Sequence, residues 1–168
     1  MTSERSPGPG SQHDEEADAL LAACRVLVAI SALSITAVED VANVLQVRGL
    51  VVIASCGAVS LGELAEAMNI HLTRASRLCD RLVLKGLISR TDDPDNRRQL
   101  TLTLTPSGER LVDTVITSRR KAIGPILARV TKQMSKQRRT EFVSILQEFA
   151  AAAGEPSHSD LWALGWTT

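Results

Sequence analysis

Aromatic residues are almost missing from this chain: in 168 residues there is no tyrosine, and there are two phenylalanines and two tryptophans. Histidine is scarce as well, and His13, His71 and His158 are scattered. No two of the three cysteines, Cys24, Cys56 and Cys79, lie close in sequence. That spacing excludes a ligand set for a structural metal and leaves no nucleophile, base and orienting group to assemble. Neither metal, cofactor nor catalysis is therefore expected. No uninterrupted apolar run approaches the ~20 residues that cross a bilayer, and the opening MTSERSPGPGSQHDEE lacks the apolar stretch of a secretion signal. A cytoplasmic protein without a membrane partner is the expectation.

Net charge is also lacking, since 19 basic residues balance 19 acidic ones. The balance is not local. Residues 71 to 100 hold seven basic side chains against four acids, whereas the first twenty residues hold Glu4, Asp14, Glu15, Glu16 and Asp18 against Arg5. A basic centre beside an acidic end is compatible with a phosphate-bearing partner.

What the sequence does contain is a helix, a tight turn, a second helix and a hairpin between Ser60 and Thr105. Ser60 followed by Glu63 is a capping box, and Leu61, Leu64, Ala65 and Met68 recur at helical spacing. Asn69 tolerates left-handed backbone, and Ile70 is placed to plug the corner between two helices. From Leu72 to Lys85, Ala75, Leu78, Cys79 and Leu82 form one stripe. Arg74, Arg77 and Arg81 form a neighbouring one, with Thr73 and Ser76 further out. Gly86 supplies a left-handed stop.

Leu100, Leu102 and Leu104 alternate with Thr101 and Thr103, the pattern of a half-buried strand, and Leu87 to Thr91 is its expected partner. The turn chemistry of Asp93-Pro94-Asp95-Asn96 separates them, and Arg97 and Arg98 follow it. Thr105-Pro106 then caps and starts another helix. This order of elements is that of a winged helix-turn-helix.

Gly62-Glu63-Leu64-Ala65-Glu66, Arg77-Leu78-Cys79-Asp80-Arg81-Leu82, Lys85-Gly86-Leu87, Asp93-Pro94-Asp95-Asn96-Arg97-Arg98 and Leu104-Thr105-Pro106-Ser107-Gly108 together resemble the MarR family of bacterial transcriptional regulators. The resemblance runs from Leu45 to Val112. It departs at Asn96, where an aspartate that pairs with wing arginines is usual, and at His71, where a serine or threonine commonly caps the recognition helix. It implies a mainly α fold with a small antiparallel β-wing, flanked by N- and C-terminal dimerisation helices. It also implies a small aromatic or phenolic effector bound between those helices and the DNA-binding lobe. Some relatives sense peroxide through a thiolate near the position of Cys24, aided by tyrosines that this chain lacks. All three cysteines sit among apolar neighbours, and the expectation for them is a small buried hydrophobe, with redox sensing at Cys24 the alternative.

Around this centre the expected organisation is a disordered tail over 1–14, a dimerisation helix over 15–40 and the winged region over 41–105. C-terminal dimerisation helices over 106–153 and an apolar tail over 154–168 complete it. A kink is expected at Gly124-Pro125, because proline removes a backbone donor. The outer helices are too apolar for a monomer, which predicts a two-fold dimer. In the tail, Leu161, Trp162, Leu164 and Trp166 form a plug that either packs on a helix or lids an effector pocket.

On double-stranded DNA, a recognition helix enters the major groove by its N-terminal part. Thr73, Arg74 and Arg77 are the expected base readers. His71, Ser76, Arg81, Lys85 and Arg90 are the expected phosphate contacts, with Arg81 alternatively pairing to a wing aspartate. Arg97 and Arg98 are the expected minor-groove probes. The expected protein is a homodimeric regulator on a near-palindromic operator, a repressor that an effector releases. A winged-helix protein-interaction module without specific DNA binding is the alternative.

Overall fold

The structure, a computed structural model, describes residues 9–36, 38, 41–92 and 100–155. The wing tip with Arg97 and Arg98, and the tail with Trp162 and Trp166, lie outside the described residues.

Among the described residues, helix α1 (Pro9–Thr36) leads into α2 (Val44–Cys56), a short strand β1 (Val59–Ser60), α3 (Leu61–Ala67) and α4 (Leu72–Leu84). The hairpin β2 (Ile88–Asp92) and β3 (Leu100–Leu104), then α5 (Pro106–Thr131) and α6 (Lys136–Ala152), complete the order. Helix α1 thus begins earlier than expected, so residues 9–14 are helical rather than part of a tail.

The helix-turn-helix forms for the local reasons its residues dictate. The Ser60 hydroxyl accepts from the Glu63 amide at 3.2 Å while the Glu63 carboxylate accepts from the Ser60 amide at 2.7 Å, closing the capping box. Asn69 takes the left-handed region at φ 51°, so that the Ile70 amide turns back onto the Ala65 carbonyl. Gly86 ends α4 at φ 65°, and the Leu87 amide donates to the Leu82 carbonyl.

Helix α2 is the buried centre of the lobe, with Val47, Leu50, Val52 and Ile53 packed inside. Gly49 permits the crossing with α4, because a Cβ there would stand 3.1 Å from Leu78 Cδ2. In the sheet β3 lies between β1 and β2, both antiparallel to it, and β2 pairs in the register Ile88 with Leu104 through Asp92 with Leu100. Strand β1 was not expected. It exists because Val59 and Ser60 lie extended against Leu102 and Thr101 before the helix cap.

The start of α5 is held closely. Thr105 accepts from the Gly108 amide and donates its hydroxyl to the Gly86 carbonyl. Gly108 lies so near Leu87 that a Cβ would fall 2.1 Å from the Leu87 carbonyl oxygen. From there α5 runs to Thr131 as one helix with Pro125 inside it, so Gly124-Pro125 does not divide it.

The outer helices differ from the lobe. No residue of α6 is buried, and Val143, Ile145, Leu146 and Phe149 are exposed. Along α1, Leu21, Val28 and Leu33 are exposed, Leu33 at 70%. Contrary to the sequence expectation, Gln12–Thr36 is long and apolar enough to cross a membrane by length and composition. Arg25 interrupts that stretch midway.

Candidate nucleic-acid interface

Helix α4 divides into two faces. Ala75, Leu78, Cys79 and Leu82 are wholly buried, while Thr73, Arg74, Arg77 and Arg81 are exposed on the other side. Burial of the first set fixes the helix rotation, so the second set is presented to solvent by the packing itself. Ser76 is half-buried, turned from the centre of the exposed face.

His71 occupies the N-cap position with extended backbone, and its side chain makes no capping hydrogen bond. Amides of the first turn are therefore left to other acceptors, in contrast to α3, whose cap is closed. A depression of about 360 Å³ beside this turn is lined by Ala65, Glu66, Asn69, Ile70, His71 and Arg74.

Two expected phosphate contacts are already engaged within the protein. Arg90 on β2 donates to the Asp80 carboxylate at 2.7 Å, and the pair is partly exposed. The ion pair ties the wing strand to α4. Among the described residues the aspartate on α4, Asp80, is taken by Arg90, and the wing aspartates Asp93 and Asp95 offered as partners for Arg81 lie outside the described residues. Lys85 donates to the Val41 carbonyl and, at 3.3 Å, to Gln46 Oε1.

The cysteines separate by environment. Cys79 is buried, and desolvation pushes its thiol pKa up against the opposing pull of Arg90. Cys24 is half-buried. Cys56 is exposed, contrary to the expectation of a buried small hydrophobe.

Sequence reasoning missed Asp80, Gln46 and Val41 as partners, because each meets its basic residue only after the chain has folded back. It also missed Leu72, which is 57% exposed at the start of α4. Between α1 and α5, Arg119 donates to the buried Ser34 hydroxyl at 3.0 Å. Burial and the nearby Arg48 lower its pKa. Arg48 in turn makes a bidentate pair with Glu155 just beyond α6.

Residues 43–100 match the sequence model of the MarR family. Along nearly the whole chain, the crystal structure of RV1404 from Mycobacterium tuberculosis is similar, with 37% identity, 92% of this chain and 99% of that one covered, and a TM-score of 0.70. The chain belongs to the MarR family. Proteins of this family are transcriptional regulators and not enzymes, and the winged helix described above is their fold. The HTH-type transcriptional repressor MdtR of Bacillus subtilis is 30% identical over 97 residues, covering 58% of this chain and 60% of that protein. The chain spans about half to three-fifths of the length of the curated relatives it matches. A mutant MarR from E. coli complexed with operator DNA is 16% identical, with 85% of this chain and 99% of that one covered and a TM-score of 0.57, a likeness of fold.

Proposed function

We propose that this MarR family member is a cytoplasmic, homodimeric, sequence-specific DNA-binding regulator, and a repressor that a small aromatic or phenolic effector releases. The observation that carries the DNA-binding part is the two-faced α4. Its apolar stripe is fully buried, which commits Thr73, Arg74, Arg77 and Arg81 to a surface that, among the described residues, stays exposed.

In this reading Thr73, Arg74 and Arg77 read bases, each bidentate arginine contributing ~1–3 kcal/mol of discrimination. Leu72 beside them offers an apolar contact to a thymine methyl. His71, Ser76 and Arg81 serve phosphates, and Arg97 and Arg98 enter the minor groove. Arg90 would serve a phosphate either by sharing its guanidinium with Asp80 or by leaving that partly exposed pair. The likeness to MdtR supports repression, and the operator-bound MarR supports a duplex as the partner.

The dimer part rests on the uncovered apolar residues of α1, α5 and α6. Leu33, Ile126, Val130, Ile145 and Phe149 are all exposed in one chain, and a second copy would bury them. A two-fold axis then places two α4 helices about one duplex turn, ~34 Å, apart. The apolar length of α1 is covered by the partner in this arrangement and not by lipid.

The test is binding of the purified protein to its own promoter DNA at two salt concentrations, beside Arg74→Ala/Arg77→Ala. Tight, site-preferring, salt-sensitive binding that the variant loses is expected. Equal binding to random DNA at low salt would overturn the proposal and favour a protein-interaction module.

A further inference from the structure

Lys85 carries the family-like Lys-Gly step and looks, from sequence, like another phosphate contact. Its surroundings say otherwise. The ammonium donates to the Val41 carbonyl in the connection between α1 and α2, and to Gln46 Oε1 on the first turn of α2. Gln46 is only 3% exposed, and the same oxygen also accepts from the Asn43 amide at 3.1 Å. Asn43 Oδ1 reciprocates by accepting from the Gln46 amide at 3.0 Å. Lys85 is thus the third member of the capping box of α2, reaching it from 39 residues away.

On the other side of the same helix end, the Gly86 carbonyl accepts from the Thr105 hydroxyl, which also caps α5. The C-terminal end of α4 is consequently gripped by the segment leaving α1 and by the first residue before α5. Two of an ammonium's three donors are occupied by these bonds. A phosphate could meet only the third donor, and only from the position that the bonds to Gln46 and the Val41 carbonyl impose.

We propose that Lys85 is a positioning residue for DNA binding and not a phosphate contact: it locks the end of the recognition helix to the α1–α2 connection. This rests on the DNA-binding reading above. The lock sits where the outer helix joins the lobe, so it fixes how α4 is carried relative to α1, and through α1 relative to a second copy.

The two roles separate in the salt dependence. Each phosphate contact contributes ~0.9 to the slope of log affinity against log salt, whereas a positioning residue changes affinity without changing the slope. Full-length protein, Lys85→Met, Gln46→Leu and the double variant are compared on a duplex selected by the wild-type protein, with Arg74→Ala/Arg77→Ala as reference. Lys85→Met is expected to weaken binding about tenfold with the wild-type slope. Gln46→Leu is expected to weaken it similarly, and the double variant no more than either single one. A slope reduced by about one in Lys85→Met, additive losses in the double variant, or unchanged affinity would each overturn the proposal. Should Gln46→Leu fail to fold, the slope of Lys85→Met decides alone. If the wild-type protein selects no duplex, or the arginine variant binds as well as wild type, it is the DNA-binding reading that fails instead.

Discussion

The lobe built from α2, α3, α4 and the sheet, and the outer pair α1 and α6, are both rich in apolar residues, yet they use them in opposite ways. In the lobe Leu50, Ile53, Leu64, Leu78, Leu82 and Leu102 are almost wholly enclosed, and Leu72 and Leu84 on the outer side of α4 are exceptions. In α6 none is enclosed, and along α1 the exposed residues occur on several sides. The lobe is a finished core within one chain, and the outer helices, in the proposed dimer, would be half of one. Hydrophobicity alone therefore does not distinguish a core from an interface. The distinction lies in whether the backbone around it closes locally, as caps and turns make the lobe close.

The sharpest way to break the lobe is to push apart its tightest contact. Gly108→Ala would place a methyl group 2.1 Å from the Leu87 carbonyl oxygen, which is backbone and has no rotamer to escape into. A loss of about 3 kcal/mol or more of unfolding free energy in urea is expected. A loss below ~1 kcal/mol would show that α5 can slide away from the hairpin.

The outer helices should fail differently. Leu33→Glu with Ile145→Glu adds charge where both residues are already exposed in one chain, at 70% and 63%. Sedimentation is expected to show a monomer in place of a dimer, while the lobe retains its protected amides. A dimer that persists would move the interface elsewhere.

A gentler change sharpens the comparison inside the lobe itself. Helix α3 has a closed cap and α4 does not, so His71→Ser should raise thermal stability by ~0.5–1 kcal/mol. No gain would mean that the open amides already have an acceptor in water.

These contrasts also mark what could be read in the sequence. Asn69, Gly86, Ser60 with Glu63 and Thr105-Pro106 were legible because each acts on backbone within a few residues, where chemistry and spacing are enough. The α4 faces followed from periodicity, and the structure buries and exposes the residues that the pattern separated. Strand β1 was not legible, since two residues carry no pattern and pair only once β3 is in place. The bonds of Lys85 to Val41 and Gln46, and of Arg90 to Asp80, were missed for a related reason. A basic residue shows its charge in sequence, but whether that charge is free depends on a partner brought near by folding. The apolar length of α1 escaped a search for uninterrupted apolar runs, because Arg25 breaks the run although the helix is apolar on average.

Helix α5 gives the molecule a mechanical property. It is one continuous helix of 26 residues, with a helical rise of about 39 Å, whose first turn is wedged against the hairpin at Gly108 and whose far end carries exposed apolar residues. Such a helix acts as a lever with its fulcrum in the lobe: a tilt of about 5° at the wedge sweeps the other end through about 3 Å. In the proposed dimer a displacement of that size would equal nearly a whole base-pair step of duplex, so a small molecule would need to disturb only a few degrees of angle to put two reading heads out of step with their groove.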